Sequence, residues 1–253
     1  VLIIVSLLKE AAHDTAIDFA HRKIAEKVED PLVRDKLTPR GFPFAAMRPA
    51  VDHLYYEAFN RDNVELVDIK EDPIIEITPN GIRTESGEYT LDIIIFATGF
   101  DVFTGSILAP TITGRGGVTL KEKWKDGPKN YLGLSTKGFP NMFIMVGPGS
   151  PSLLSNVMVS MEEHADFIRD LIGDMRDKGY TEVEAEPQAE EHWVEHVNER
   201  SKETLYPKAK SYYVGAEIPG KPQVFMPYSG GVRGYRRILN RVQNENWNGF
   251  VMK

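Results

Sequence analysis

Asp92-Ile93-Ile94-Ile95-Phe96-Ala97-Thr98-Gly99-Phe100-Asp101 is the stretch on which the fold turns. Its apolar run does not alternate with polar residues, so as a strand it needs cover on both faces, as in a parallel α/β sheet. Asn141-Met142-Phe143-Ile144-Met145-Val146 has the same character and runs into Gly147-Pro148-Gly149-Ser150-Pro151-Ser152. A long helix is predicted after that turn. Val157, Met161, Ala165, Ile168, Ile172 and Met175 would form its apolar face, with Gly179 just past its C-terminus.

Upstream, Val64-Glu65-Leu66-Val67 and Pro73-Ile74-Ile75-Glu76-Ile77 read as short strands, and Pro79-Asn80-Gly81 and Ser86-Gly87 as hairpin turns. Residues 1 to about 37 read as helical: Ile17, Ala20, Ile24 and Val28 recur at helical spacing, and Asp30-Pro31 ends the first helix because a residue before Pro avoids the α region. A short second helix covers Leu32 to Leu37, and residues 38–44 form an extended connector. Further helices are expected near 187–205 and 235–243. The class is α/β, with an incomplete parallel sheet.

The chain has 253 residues, 42% hydrophobic, with a formal net charge of −7 and no cysteine. The acidic balance argues against a nucleic-acid binder, which needs a basic stripe. The lack of cysteine excludes a disulfide scaffold, a thiolate metal site and a Cys nucleophile, and it fits a reducing compartment; the cytoplasm is the expected location. Val1-Leu2-Ile3-Ile4-Val5 carries no initiator Met, basic n-region or cleavage motif, and the run to Leu8 falls far short of the roughly 20 residues of a membrane span. An apolar terminus of this kind leads us to expect a piece of a longer polypeptide, beginning within a helix.

Three local patterns suggest chemistry. His192-Trp193-Val194-Glu195-His196 has the H-x-x-E-H spacing of a zinc-peptidase class, but Glu190, Glu191, Glu195 and Glu199 mark a solvated helix and no third-ligand helix follows. Gly215-Ala216-Glu217-Ile218-Pro219-Gly220-Lys221 approaches a phosphate-binding loop, yet Pro222 stands where a hydroxyl is needed and Pro219 lacks an amide donor. The Gly147-Pro148-Gly149 turn into a helix could offer free amides to an anion or a carbonyl-rich ring. No G-x-G-x-x-G dinucleotide fingerprint occurs.

Taken together, Phe59-Asn60-Arg61-Asp62-Asn63-Val64, Ala97-Thr98-Gly99-Phe100-Asp101, Gly147-Pro148-Gly149-Ser150-Pro151, Glu195-His196-Val197-Asn198-Glu199, Pro219-Gly220-Lys221-Pro222 and Tyr235-Arg236-Arg237 resemble the Baeyer–Villiger monooxygenases, in particular those acting on phenylacetone, cyclohexanone and steroids. The resemblance covers essentially the whole chain and implies the C-terminal portion of such an enzyme. Residues 1–40 would end a helical insertion, 41–100 would close an NADP-binding domain, and 101–253 would form the second half of an FAD-binding domain. The upstream Gly-rich fingerprints would lie in the missing N-terminal part of the same polypeptide.

The resemblance further implies FAD and NADPH as cofactors, and a small-molecule ketone and O2 as partners, with neither nucleic acid nor membrane. In the family, a flavin-bound peroxide attacks the ketone carbonyl and oxygen is inserted to give an ester or lactone. Arg48 falls on the family's catalytic Arg, a residue that stays cationic and gives up no proton. Met47 stands where the family usually has a Lys for the 2′-phosphate of NADP, and this leaves the NADP-over-NAD preference open. Tyr212 stands where the nicotinamide ribose is met, and Val157 where a backbone amide meets the flavin. Ser152, Leu153 and Leu154 match the substrate-pocket loop. No metal is expected. The alternatives are a flavin-containing monooxygenase acting on nitrogen or sulfur, the zinc peptidase, and a non-catalytic module.

Overall fold

The computed structural model describes residues 10–44, 46–50 and 53–253, and the expected helix over the apolar terminus lies outside them. The chain divides into two compact units between Phe100 and Asp101. Secondary structure combines helices with two small antiparallel sheets.

In the first unit, helix α1 (Glu10–Lys27) buries Ile24 and, just beyond its end, Val28, as the spacing predicts. Asp30 starts α2 (Pro31–Leu37): its side chain accepts from the amides of Leu32 and Val33, and Pro31 occupies the first turn, where it sacrifices no helical hydrogen bond. Strands β1 (Ile74–Thr78), β2 (Gly81–Thr84) and β3 (Glu88–Thr90) form an antiparallel meander through both predicted turns. Gly81 is required at the first turn, because a Cβ there would stand 1.9 Å from the Tyr89 carbonyl oxygen.

The parallel sheet does not form among the described residues. Residues 92–100 form no strand, and neither do 64–67 or 141–146. Ile93, Ile95, Phe96 and Phe100 are 77%, 85%, 66% and 86% exposed. The physical reason is that an apolar run encodes a preference for burial but supplies neither the neighbouring strand nor the covering layer.

The second unit is built on α3 (Gly105–Leu108), α4 (Leu120–Lys123), α5 (Val157–Lys178), α6 (Pro187–Lys202) and α7 (Gly231–Asn244), with β4 (Val183–Ala185) paired antiparallel to β5 (Phe250–Met252). Leu120, Trp124, Phe139 and Ile144 form one apolar cluster. A second, aromatic cluster stacks Trp193 on Tyr228, with Tyr235 beside both.

Asn156 caps α5 by accepting from the Met158 amide, and Gly179, at φ 75°, closes it in the left-handed conformation. The buried face of α5 is Ser160, His164, Phe167, Leu171 and Met175. It is not the apolar set expected: of that set only Met175 is buried, while Met161 and Ile172 are 37% and 50% exposed. The face is chosen by polar groups that find partners in the core, as described next.

Candidate functional site

In the first unit, Met47 and Arg48 line a cavity of about 800 Å³ together with Lys23 and Lys27 of α1, Phe44 and Tyr56. Arg48 is exposed and Met47 half-buried. Pro49 keeps the backbone at Arg48 out of a helix, and Met47 and Arg48 line the same space.

In the second unit, Ser152, Leu153 and Leu154 form one helical turn of the 3₁₀ type, and Val157 follows as the first residue of α5. Ser152 is 3% exposed, has φ 27°, and its hydroxyl finds no hydrogen-bond partner among the described residues. Helix geometry leaves the first amides of α5 without acceptors in their own helix; Asn156 serves that of Met158, so those of Val157 and Val159 point out of the ladder.

The preceding turn is held by every one of its carbonyls. Gly147 O accepts from the Ser150 hydroxyl at 2.7 Å, Pro148 O from the Asn130 amide at 2.7 Å, Gly149 O from the Trp193 indole at 3.2 Å and Ser150 O from the Tyr228 amide at 2.7 Å. Two of its amides are engaged too: Gly149 N–H donates to Met226 O at 2.6 Å and Ser150 N–H to Gly147 O at 3.1 Å. The expectation that this turn offers free amides is therefore corrected at Gly149 and Ser150. Open donors lie further on, at Ser152 and the start of α5, because the Gly149 amide is taken by Met226 and the Ser150 amide by Gly147.

Tyr212 lies on a separate loop, its ring 4.4 Å from that of Tyr213, in a turn ended by Gly215 at φ 72°. Lys221 fastens this loop: its ammonium, on a side chain 9% exposed, lies 2.6 Å from Asp101 and 3.3 Å from Glu217. Although the Asp101 carboxyl is partly desolvated, Lys221 and Thr104 hold it below the usual carboxylate range. The phosphate-loop lysine is thus engaged in an internal ion pair.

His192 and His196 lie on an exposed face of α6, and no group of three or more His, Asp or Glu able to hold a metal exists among the described residues. His196 is held below the usual histidine range by partial burial and by Arg200 and Arg241. No helix among the described residues is long and apolar enough to cross a membrane.

Of the residues that support the turn, Trp193 and Tyr235 enter the sequence reading only within motifs read for other reasons, and Asn130 and His164 are not singled out in it. A signal existed for one of them, since His164 shares the 160-164-167-171-175 helical row.

No protein-family model matches the chain. It is 44% identical to a Baeyer–Villiger monooxygenase of Pseudooceanicola batsensis over 96% of its residues, but over only 44% of that protein. It is 40% identical to cyclohexanone 1,2-monooxygenase of an Acinetobacter species, covering 94% of the chain and 44% of the relative. The phenazine N-monooxygenase PhzNO1 of Lysobacter antibioticus is 42% identical over 96% of the chain and 44% of its own length. Among solved structures, an oxidised steroid monooxygenase bound to NADP superposes with a TM-score of 0.90 at 44% identity, and OTEMO in complex with FAD and NADP with 0.93 at 40%. Each match covers 98% of this chain and 46% of the solved one. The resemblance read from the sequence thus holds over nearly the whole chain, and the chain spans about half the length of the relatives it matches.

Proposed function

We propose that this chain is the C-terminal part of a Baeyer–Villiger monooxygenase, which when whole inserts one oxygen atom of O2 beside a ketone carbonyl to give an ester or lactone. The observation that carries the reading is 44% identity over 96% of the chain to a protein of that activity. Residues 1–40 are assigned to the end of a helical insertion, 41–100 to an NADP-binding domain and 101–253 to an FAD-binding domain. The division into compact units after Phe100 supports the last boundary.

FAD and NADP(H) are the proposed cofactors. The residues present fit part of a flavin site: the buried, partnerless Ser152 hydroxyl and the outward amides of Val157 and Val159 are donors suited to an edge rich in carbonyl and nitrogen acceptors. When bound, the flavin supplies the oxygen-activating redox chemistry, fed by the reduced nicotinamide. Arg48 then holds negative charge on the reacting oxygen without releasing a proton. Leu153 and Leu154 present apolar surface that excludes water and favours apolar ketones, and Tyr212 offers a hydroxyl to the nicotinamide ribose.

The partner is the N-terminal part of the same polypeptide. The bare apolar segment 92–100 supports this reading, because a free chain gains nothing from exposing Ile93, Ile95 and Phe100. The absence of cysteine agrees with a cytoplasmic setting.

The test is a chimera in which this chain replaces the corresponding part of the Pseudooceanicola relative. It should be yellow, consume NADPH and convert a ketone to its ester. Arg48→Ala should still permit NADPH-driven bleaching of the flavin band but yield no ester, and an unchanged ester yield would refute the role. The similarity to a phenazine N-monooxygenase favours N-oxidation as the second reading; a chimera that oxidises a ring nitrogen and no ketone would establish it instead.

A further inference from the structure

His164 lies at the centre of the second unit, fully buried on α5, and bonds at both ring nitrogens. The Val146 amide donates to Nδ1 at 3.0 Å, so Nδ1 carries no proton. Nε2 must then carry it and donate to the Tyr235 hydroxyl, 2.8 Å away. The hydroxyl in turn donates to the carbonyl of Leu132. Every donor and acceptor in this chain of three bonds is matched in one tautomer only.

Both ends of the chain fall on strained backbone. Val146 has φ 49° and Leu132 φ 59°. A β-branched residue in the left-handed region is a steric outlier that persists only where its surroundings impose it. The two segments also touch. A Cβ added to Gly133 would stand 2.7 Å from the Ser150 amide nitrogen, and one added to Gly147 would stand 2.7 Å from the Gly133 carbonyl. Ser152, the next non-glycine residue at positive φ (27°), lies two residues beyond Ser150, with its unpartnered hydroxyl.

We infer that His164 and Tyr235 are positioning residues which hold Val146 and Leu132 in left-handed conformations and so set the placement of Ser152 and the first amides of α5. The inference rests on the reading above that those donors meet a flavin, but the restraint itself is a property of this chain. Ordinary core packing explains why a histidine is buried. It does not explain why the chain of bonds through both ring nitrogens and the tyrosine hydroxyl ends on the two strained backbone segments.

Hydrogen exchange on the full 253-residue chain tests the restraint. Tyr235→Phe removes one oxygen and should speed exchange of the amides in 146–152 about tenfold, while the second half of α5 keeps its rate. His164→Leu should do more, and His164→Gln, which retains one acceptor and one donor, should restore part of the protection. In the chimera, the same variants should shift the visible flavin band, with Gln closest to the parent. Exchange that is unchanged in the turn, or that rises uniformly across the unit, overturns the inference. A parent chimera without flavin would count against the proposed function alone, since the exchange result still decides the restraint.

Discussion

The indole N–H of Trp193, on α6, donates to the carbonyl of Gly149 at 3.2 Å, and Gly149 has φ 83°. A Cβ at Gly149 would stand 3.0 Å from that indole nitrogen and 3.1 Å from Asn130 Oδ1. Gly149→Ala should therefore cost about 2–4 kcal/mol, from backbone strain plus the disturbed bonds. Gly179→Ala has a similar φ of 75° but open space, and should cost only about 1 kcal/mol. Urea unfolding of both variants checks the difference; equal costs would mean that the turn is not locked.

Leu171 and Ile172 are neighbours on α5 with opposite fates, 0% and 50% exposed. Leu171→Ala should cost about 3 kcal/mol in the second unit, and Ile172→Ala less than about 1 kcal/mol in this chain. The reverse order would restore the helix face expected from the apolar pattern.

Burial pushes the His164 pKa down from 6.5 to about 4. Its surroundings, Tyr235 and beyond it Tyr228 and Glu163, offer no full compensation for a charge on the ring. The unfolded chain binds this proton first, so the contribution is present above pH 6.5 and is lost as pH falls toward about 4. The amplitude is on the order of 3 kcal/mol. Stability measured against pH should flatten over that window in His164→Gln relative to the parent. Parallel curves would show that other groups carry the acid sensitivity.

Met47 lines the same cavity as Arg48. Under the proposed function, Met47→Lys in the chimera should lower the KM for NADPH about tenfold with little change for NADH. Equal effects on the two coenzymes would remove Met47 from the phosphate.

Ile93 and Ile95 are exposed apolar residues on an extended segment outside any strand. Their joint replacement by Thr should raise the soluble yield of the chain alone and lower the yield of flavin-loaded chimera. A gain in both would show that nothing packs there. The chain alone should lose any flavin absorbance on desalting, because it has no Gly-rich fingerprint to hold the pyrophosphate.

Local elements were legible in the sequence: two helices divided at Asp30-Pro31, both hairpin turns, and the long helix α5 ending at Gly179. These follow from spacing, caps and turn residues, whose energies act within a few positions of the chain. Residue matching alone brought Arg48, Ser152 and Val157 forward, since nothing in their own neighbourhood distinguishes them from ordinary surface and helix-start residues. Tertiary structure decided the rest. It left 92–100 unpaired, because pairing needs a neighbour that no local pattern can supply. It turned α5 onto Ser160 and His164 in preference to its more apolar side, because Tyr235, 71 residues away, satisfies the His164 ring. A buried polar group is tolerable only when such a partner arrives, and its arrival is a fact of the fold.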